Sequence, residues 1–151
     1  MFLTKTFAIE DCYYYSTTTY GSSSVNINVP LPSAPFSLEY LLTQTRRDWG
    51  VPYIDIGDSS NNRMLIGQYA RAGTNGIIVY KGSQTNHPYG TDTLLNQDNT
   101  IYFAYDGTQY TYKLNNGTPM TVADAGVTFT KIIHSEGGDG GTIRNVKVKQ
   151  L

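Results

Sequence analysis

Two pairs of carboxylates stand close together in the sequence, Asp55 with Asp58 and Glu136 with Asp139. Paired carboxylates are what glycoside hydrolysis needs: one protonates the leaving oxygen, and the other attacks the sugar or activates water. On a strand, the two must lie two or four residues apart to share a face. Neither pair fits. Asp55 and Asp58 straddle a strand end and a turn, and Glu136 and Asp139 lie in the glycine-rich SEGGDGG. Both pairs read as solvated turn acids, because Asp initiates turns by bonding its own backbone. His87 and His134 are far apart in the chain, and no family signature surrounds Cys12. The chain is therefore read as a non-enzyme. SEGGDGG and DIGDSSNN hold oxygen donors of the kind calcium takes. They lack the dense Asp/Asn alternation of a dedicated loop, so they read as polar turns and no cofactor is expected.

Non-covalent recognition suits these residues better. Thirteen tyrosines and one tryptophan accompany abundant Ser, Thr, Asn and Gly. Tyrosine in such company gives contact area at small entropy cost. Trp49 sits in the polar stretch TRRDWG, where it either faces a ligand or folds back onto the core. Tyr69 and Arg71 end one expected strand on a shared face, and Tyr80 ends the next, across an Asn75-Gly76 turn. For both tyrosines the competing reading is cross-strand packing. His87, Tyr89 and Asp92 fall in a long polar connection, and such loops are either functional or simply mobile. Tyr13, Tyr14 and Tyr15 form the densest aromatic cluster, a binding patch or a subunit interface.

Other classes are disfavoured by the whole-chain numbers. The net charge is −1, and the basic residues are scattered apart from Arg46-Arg47 and the alternation of Arg144, Lys147 and Lys149. That disfavours nucleic acid as a partner. No apolar run is long enough for membrane insertion. The N-terminal MFLTKTFAIEDC is interrupted by Lys5 and Glu10 and does not read as a signal peptide. Cys12 is the one cysteine, so no disulfide can form within the chain.

The elements that must position these side chains are strands. AYDGTQYTYKLNNG, residues 104 to 117, alternates Tyr110, Tyr112 and Leu114 on one face with Gln109, Thr111 and Lys113 on the other. Asp106-Gly107 and Asn116-Gly117 bracket it with hairpin signals. The same period marks strands at 6–9, 25–29, 36–42, 51–57, 63–71, 77–81, 100–105, 127–134 and 142–151, with a short one near 120–122. Residues 11–24 read as a loop or irregular edge, and 82–97 as a polar connection. No stretch keeps a helical period. Short strands at this spacing predict a single all-β domain over 1–151, an antiparallel β-sandwich.

Four stretches also occur in a familiar order: FSLEYLL (36–42), YIDIGDSSNNRMLIGQY (53–69), NTIYFAYDGTQYTYKLNNGT (99–118) and FTKIIHSEGGDGGTIRNVKVK (129–149). Their order resembles the concanavalin A-like lectin/glucanase fold in its laminin-G-like form. The resemblance implies a jelly roll of two curved sheets whose last strand returns beside the N-terminal one, often binding carbohydrate. The family's hydrolases are similar to one another in a Glu-x-Asp-x-x-Glu-like strand, which this chain lacks. Domains of this kind occur in phage and archaeal-virus tail proteins and in microbial adhesins. The implied function is a receptor-binding domain for host cell-surface glycans, on a virion tail or an extracellular surface. Trp49, Tyr69, Arg71, Tyr80, His87, Tyr89 and Asp92 are then its candidate sugar-binding residues. The alternative is an assembly domain with a tyrosine-rich interface to other virion or surface-protein subunits.

Overall fold

The computed structural model describes residues 12–21, 23–48, 50–70, 74–136 and 139–151, except for the side chains of 69, 70 and 136. Twelve strands are found there. They are β1 (Tyr14–Ser16), β2 (Val25–Pro30), β3 (Phe36–Gln44), β4 (Tyr53–Ser59), β5 (Asn62–Ala70) and β6 (Thr74–Lys81). The chain continues with β7 (Gln84–Pro88), β8 (Asp98–Tyr105), β9 (Gln109–Leu114), β10 (Met120–Ala123), β11 (Lys131–Glu136) and β12 (Gly141–Gln150). They make two antiparallel six-stranded sheets, in the orders β1-β12-β3-β8-β9-β10 and β2-β11-β4-β5-β6-β7. The expected sandwich is what forms, and β12 does return beside β1. The expected strand at 6–9 lies outside the described residues.

Alternation decides what each sheet buries. Phe36, Leu38, Tyr40 and Leu42 of β3, Ile101 and Phe103 of β8, and Tyr110, Tyr112 and Leu114 of β9 all enter the shared core. From the other sheet come Ile54, Ile56, Met64, Ile66, Ile77, Val79 and Ile132. One end of this core is aromatic. The Phe129 ring lies 5.0 to 6.1 Å from the rings of Phe36, Phe103, Tyr105 and Tyr110, mostly edge to face. The edge-to-face geometry aligns ring edges with ring faces of opposite partial charge. Tyr110 is fully buried, and its hydroxyl donates to Asp124 Oδ1 at 2.5 Å. Tyr40 solves the same problem by donating to the Ile66 carbonyl at 2.5 Å, bridging the two sheets. Gly67 permits this contact: a Cβ there would strike the Tyr40 hydroxyl, and its φ of 82° suits glycine.

Three strand expectations need correction. The strand expected at 127–134 is β11, at Lys131–Glu136, so Val127 and Phe129 precede it. The 82–97 connection contains β7, a polar edge strand with little apolar alternation. Asn75-Gly76 is not the turn but part of β6, paired with Tyr69 and Gln68. Asn75 is buried there because its amide donates to the Gly67 carbonyl at 2.8 Å. The Asp106-Gly107 turn does form, as a three-residue loop in which Asp106 Oδ1 accepts from the Thr108 and Gln109 amides.

Several loop and edge acids are held below the usual carboxylate range. Hydrogen bonds from Arg144 lower Asp98, those from the Thr108 amide lower Asp106, and that from the Tyr110 hydroxyl lowers Asp124. An acid depressed by folding contributes stability above its unfolded value, near 3.8, and loses it as pH falls through the folded value. The expected melting temperature is therefore level from neutrality down to about pH 5 and falls below about pH 4. Thermal melts across that range check this, and Asp124→Asn flattens part of the fall.

Candidate functional site

Strand alternation leaves the outer face of the second sheet with its own chemistry. In β5 and β6, Met64, Ile66, Ile77 and Val79 point to the main core, so Arg63, Leu65, Ile78 and Tyr80 point away from it. Tyr53, Leu65 and Ile78 form a second, smaller apolar cluster there, and Tyr80 packs against it.

The register lines these side chains up in two adjacent rows. One row runs Arg63, Tyr80, Gln84 across β5, β6 and β7. The other runs Asn26, His134, Asp55, Leu65, Ile78, Asn86 across all six strands. Contacts fix the polar members. Arg63 Cζ lies 4.7 Å from the Tyr80 ring centroid. Arg63 Nη1 donates to Asp55 Oδ2 at 2.6 Å, and His134 Nε2 lies 3.5 Å from the same oxygen. The Tyr80 hydroxyl donates to Gln84 Oε1 at 3.0 Å, and Gln84 Nε2 donates to Asn86 Oδ1 at 2.9 Å. Burial disfavours the Arg63 charge, but Asp55 outweighs it and holds the guanidinium pKa above its ordinary value. Asp55 itself is fully buried in β4, not the solvated turn acid expected from sequence. Its partner eight residues on explains the difference, since the pair shares the cost of leaving water.

The arrangement is a planar guanidinium against a tyrosine, with two amides beyond the tyrosine and an imidazole on the far side of Asp55, beside apolar side chains. Planar groups present fixed donors and acceptors to neighbouring hydroxyls, and the aromatic and apolar atoms meet C–H surface. Asp55, buried and paired with Arg63, positions the guanidinium.

The other candidates that the structure describes, His87, Tyr89 and Asp92, lie apart from this face. Trp49 and Arg71 lie outside the described residues, as does the Tyr69 side chain. The backbone of Tyr69 pairs with Asn75, at the opposite end of the β5–β6 hairpin from Tyr80. The two tyrosines are therefore not cross-strand partners. His87 pairs with Ile77, so it faces the sandwich interior, where burial lowers its pKa. Tyr89 packs on the main core with its ring 5.3 Å from Tyr112, and its hydroxyl donates to the Thr118 carbonyl. The depression beside it is lined mainly by loop residues such as Gly90, Gly117 and Pro119. Asp92 is an exposed partner of Arg47 at 3.7 Å. Among the four candidates whose side chains are described, Tyr80, His87, Tyr89 and Asp92, Tyr80 alone belongs to the cluster. Arg63, Asp55, Gln84, Asn86 and His134 were missed, although Arg63 would follow from Tyr80 by counting back along a correctly placed hairpin.

No known protein family matches the sequence, and no curated protein matches it either. Solved structures do share the fold. Domain 4 of AbnA, a GH43 extracellular arabinanase from Geobacillus stearothermophilus, in complex with arabinotriose, superposes with a TM-score of 0.65 at 12% identity, covering 88% of this chain and 81% of that one. The carbohydrate-binding module CBM66 from Bacillus subtilis gives 0.62 at 14% identity over 93% and 98%. The Caenorhabditis elegans galectin LEC-6 gives 0.57 at 15% identity over 87% and 96%. The fold is thus the lectin-like, concanavalin A-like jelly roll that the sequence resembles.

Proposed function

We propose that this domain is a non-catalytic carbohydrate-binding module whose ligand lies on the outer face of the β2-β11-β4-β5-β6-β7 sheet. The observation that carries this reading is the Arg63–Tyr80–Gln84 row, fixed from one side by Asp55 and from the other by Asn86. The reading is supported by the fold's company: a galectin, a carbohydrate-binding module and a domain holding arabinotriose. Polar recognition by a shallow face gives weak binding per site, which repeated copies on one particle strengthen. In the finer form of the proposal, the domain is a receptor-binding part of a phage or viral tail, or of an adhesin, and recognises host cell-surface glycans. The resemblance in strand order supports that setting.

A glycan array and a panel of whole microbial cells, read with the fluorescently tagged domain, test the proposal. Saturable binding is expected, with Gln84→Ala and Tyr80→Ala each weakening it about tenfold, the equivalent of one well-placed contact. Binding that survives both substitutions would remove this face from consideration. An assembly role has one observation in its favour: Tyr13 is half exposed beside the edge strand β1. A defined oligomer that binds no sugar and no cell would select it.

A further inference from the structure

The outer face of the opposite sheet carries a second row, and the site above uses none of it. Tyr15 pairs with Lys147, Lys147 with Glu39, Glu39 with Tyr102, and Tyr102 with Lys113. Five neighbouring strands thus place aromatic, cation, anion, aromatic and cation in one line. Cross-strand partners share a face, and Tyr14, Leu38, Phe103 and Tyr112 beside them point to the core, so the whole row points outward. Lys147 Nζ lies 3.1 Å from Glu39 Oε1, and Lys113 Nζ lies 5.4 Å from the Tyr102 ring centroid.

The row lies in a hollow, not on a flat sheet. Asn145 has a φ of 54°, and the β12 register shifts between Arg144 and Lys147. Beside this bulge lies a depression of about 230 Å³ that includes Tyr15, Leu41, Thr100 and Lys147. A second, of about 100 Å³, is lined by Ser37, Glu39, Tyr102, Lys147 and Lys149. The two meet at the Glu39–Lys147 pair, so they form one groove across the strands with a tyrosine at each end. Three strand spacings put those tyrosines roughly 14 Å apart, the reach of a short oligosaccharide. Arg144 is neutralised by Asp98, with contacts of 2.9 and 2.5 Å. That leaves Lys113, Lys147 and Lys149 against Glu39, a local positive excess in a chain whose net charge is −1.

We infer that this groove is a second glycan site, which takes a linear acidic oligosaccharide lying across the strands. Sugar rings stack on Tyr15 and Tyr102, the Glu39–Lys147 pair bonds ring hydroxyls, and uronate or sulfate groups meet Lys149 and Lys113. The groove shares no residue with the other face, so either site stands if the other fails.

Titration calorimetry with tetragalacturonate, tetramannuronate, a chondroitin sulfate tetrasaccharide and neutral cellotetraose tests this. At least one acidic tetrasaccharide binds, and does so more tightly than cellotetraose. Tyr102→Ala weakens it about tenfold, Lys149→Ala weakens it several-fold, and added salt weakens it further. Gln84→Ala leaves it unchanged. Thermal melts confirm that these surface variants remain folded. The inference is overturned if no acidic probe binds, if cellotetraose binds as well as they do, if Tyr102→Ala changes nothing, or if Gln84→Ala removes the binding.

Discussion

Phe103→Ala lowers the unfolding free energy by about 3–5 kcal/mol, the usual cost of emptying a large aromatic site in a core. Phe103 has no exposed surface. Its ring is flanked at 6.3 Å by Phe36, at 6.0 Å by Tyr110 and at 6.1 Å by Phe129. Phe36 and Tyr110 are buried on strands of the same sheet, so they can move little to fill the space. In a domain of this size such a loss lowers the melting temperature by roughly 10 °C or more. Urea unfolding measures it directly, as a lower midpoint with an unchanged slope. Tyr102→Ala, one residue away but outward-facing, is the matched control and costs under about 1 kcal/mol. Equal losses for the two would mean that the β8 alternation is inverted.

Asp55→Ala costs about 2–4 kcal/mol and, if the proposed site is right, also abolishes sugar binding on its face. The stability loss follows because Arg63 and His134 are left facing an apolar side chain, and an uncompensated charge near the interior is expensive. The Arg63 side chain keeps 21% of its exposure, which places the cost toward the lower part of that range. Arg63→Met added to Asp55→Leu recovers much of the stability, since the orphaned charge is gone. On the proposed reading it recovers no sugar binding, because the guanidinium assigned to the ligand is gone as well. A double-mutant cycle in urea, run beside glycan binding, separates the two effects. Additive stability losses would show that the pair does not act as a unit.

The extent to which these features are legible in the sequence varies with how local their causes are. Tyr110 and Tyr112 sit in a clean alternation between two turn signals, and both are fully buried as that period implies. The same holds for β3 and for Val146 and Val148 of β12. β7 is illegible by the same rule, because an edge strand reading QTNHP has little apolar alternation to detect. The register of β5 and β6 fails for a different reason. The irregularity between Ile66 and Gln68, at Gly67, and the inclusion of Asn75-Gly76 in the strand displace any count made from the Asn-Gly pair. Tyr80 could therefore be named while Arg63, its partner, could not. Asp55 shows the third kind of limit. Alternation in YIDIG sets it on the outer face, but its burial depends on Arg63 across a hairpin, a relation that composition does not carry.

The order of the strands also bears on how the chain comes to be folded. β11 lies between β2 and β4, and β12 lies between β1 and β3. Residues 131–150 thus fill an inner position in both sheets at once, and among the described strands they are the hydrogen-bonded neighbours of β1 and β2. On the ribosome, the β4–β5–β6–β7 and β8–β9–β10 meanders can pair as they emerge, and β3 joins once β8 is made. β2 must wait for β11 at Lys131–Glu136, and β1 for β12 at Gly141–Gln150. Contacts spanning that much sequence make folding slow. Until β11 and β12 arrive, β3 and β4 are open edges during biogenesis, which makes the nascent chain the most aggregation-prone form of this protein.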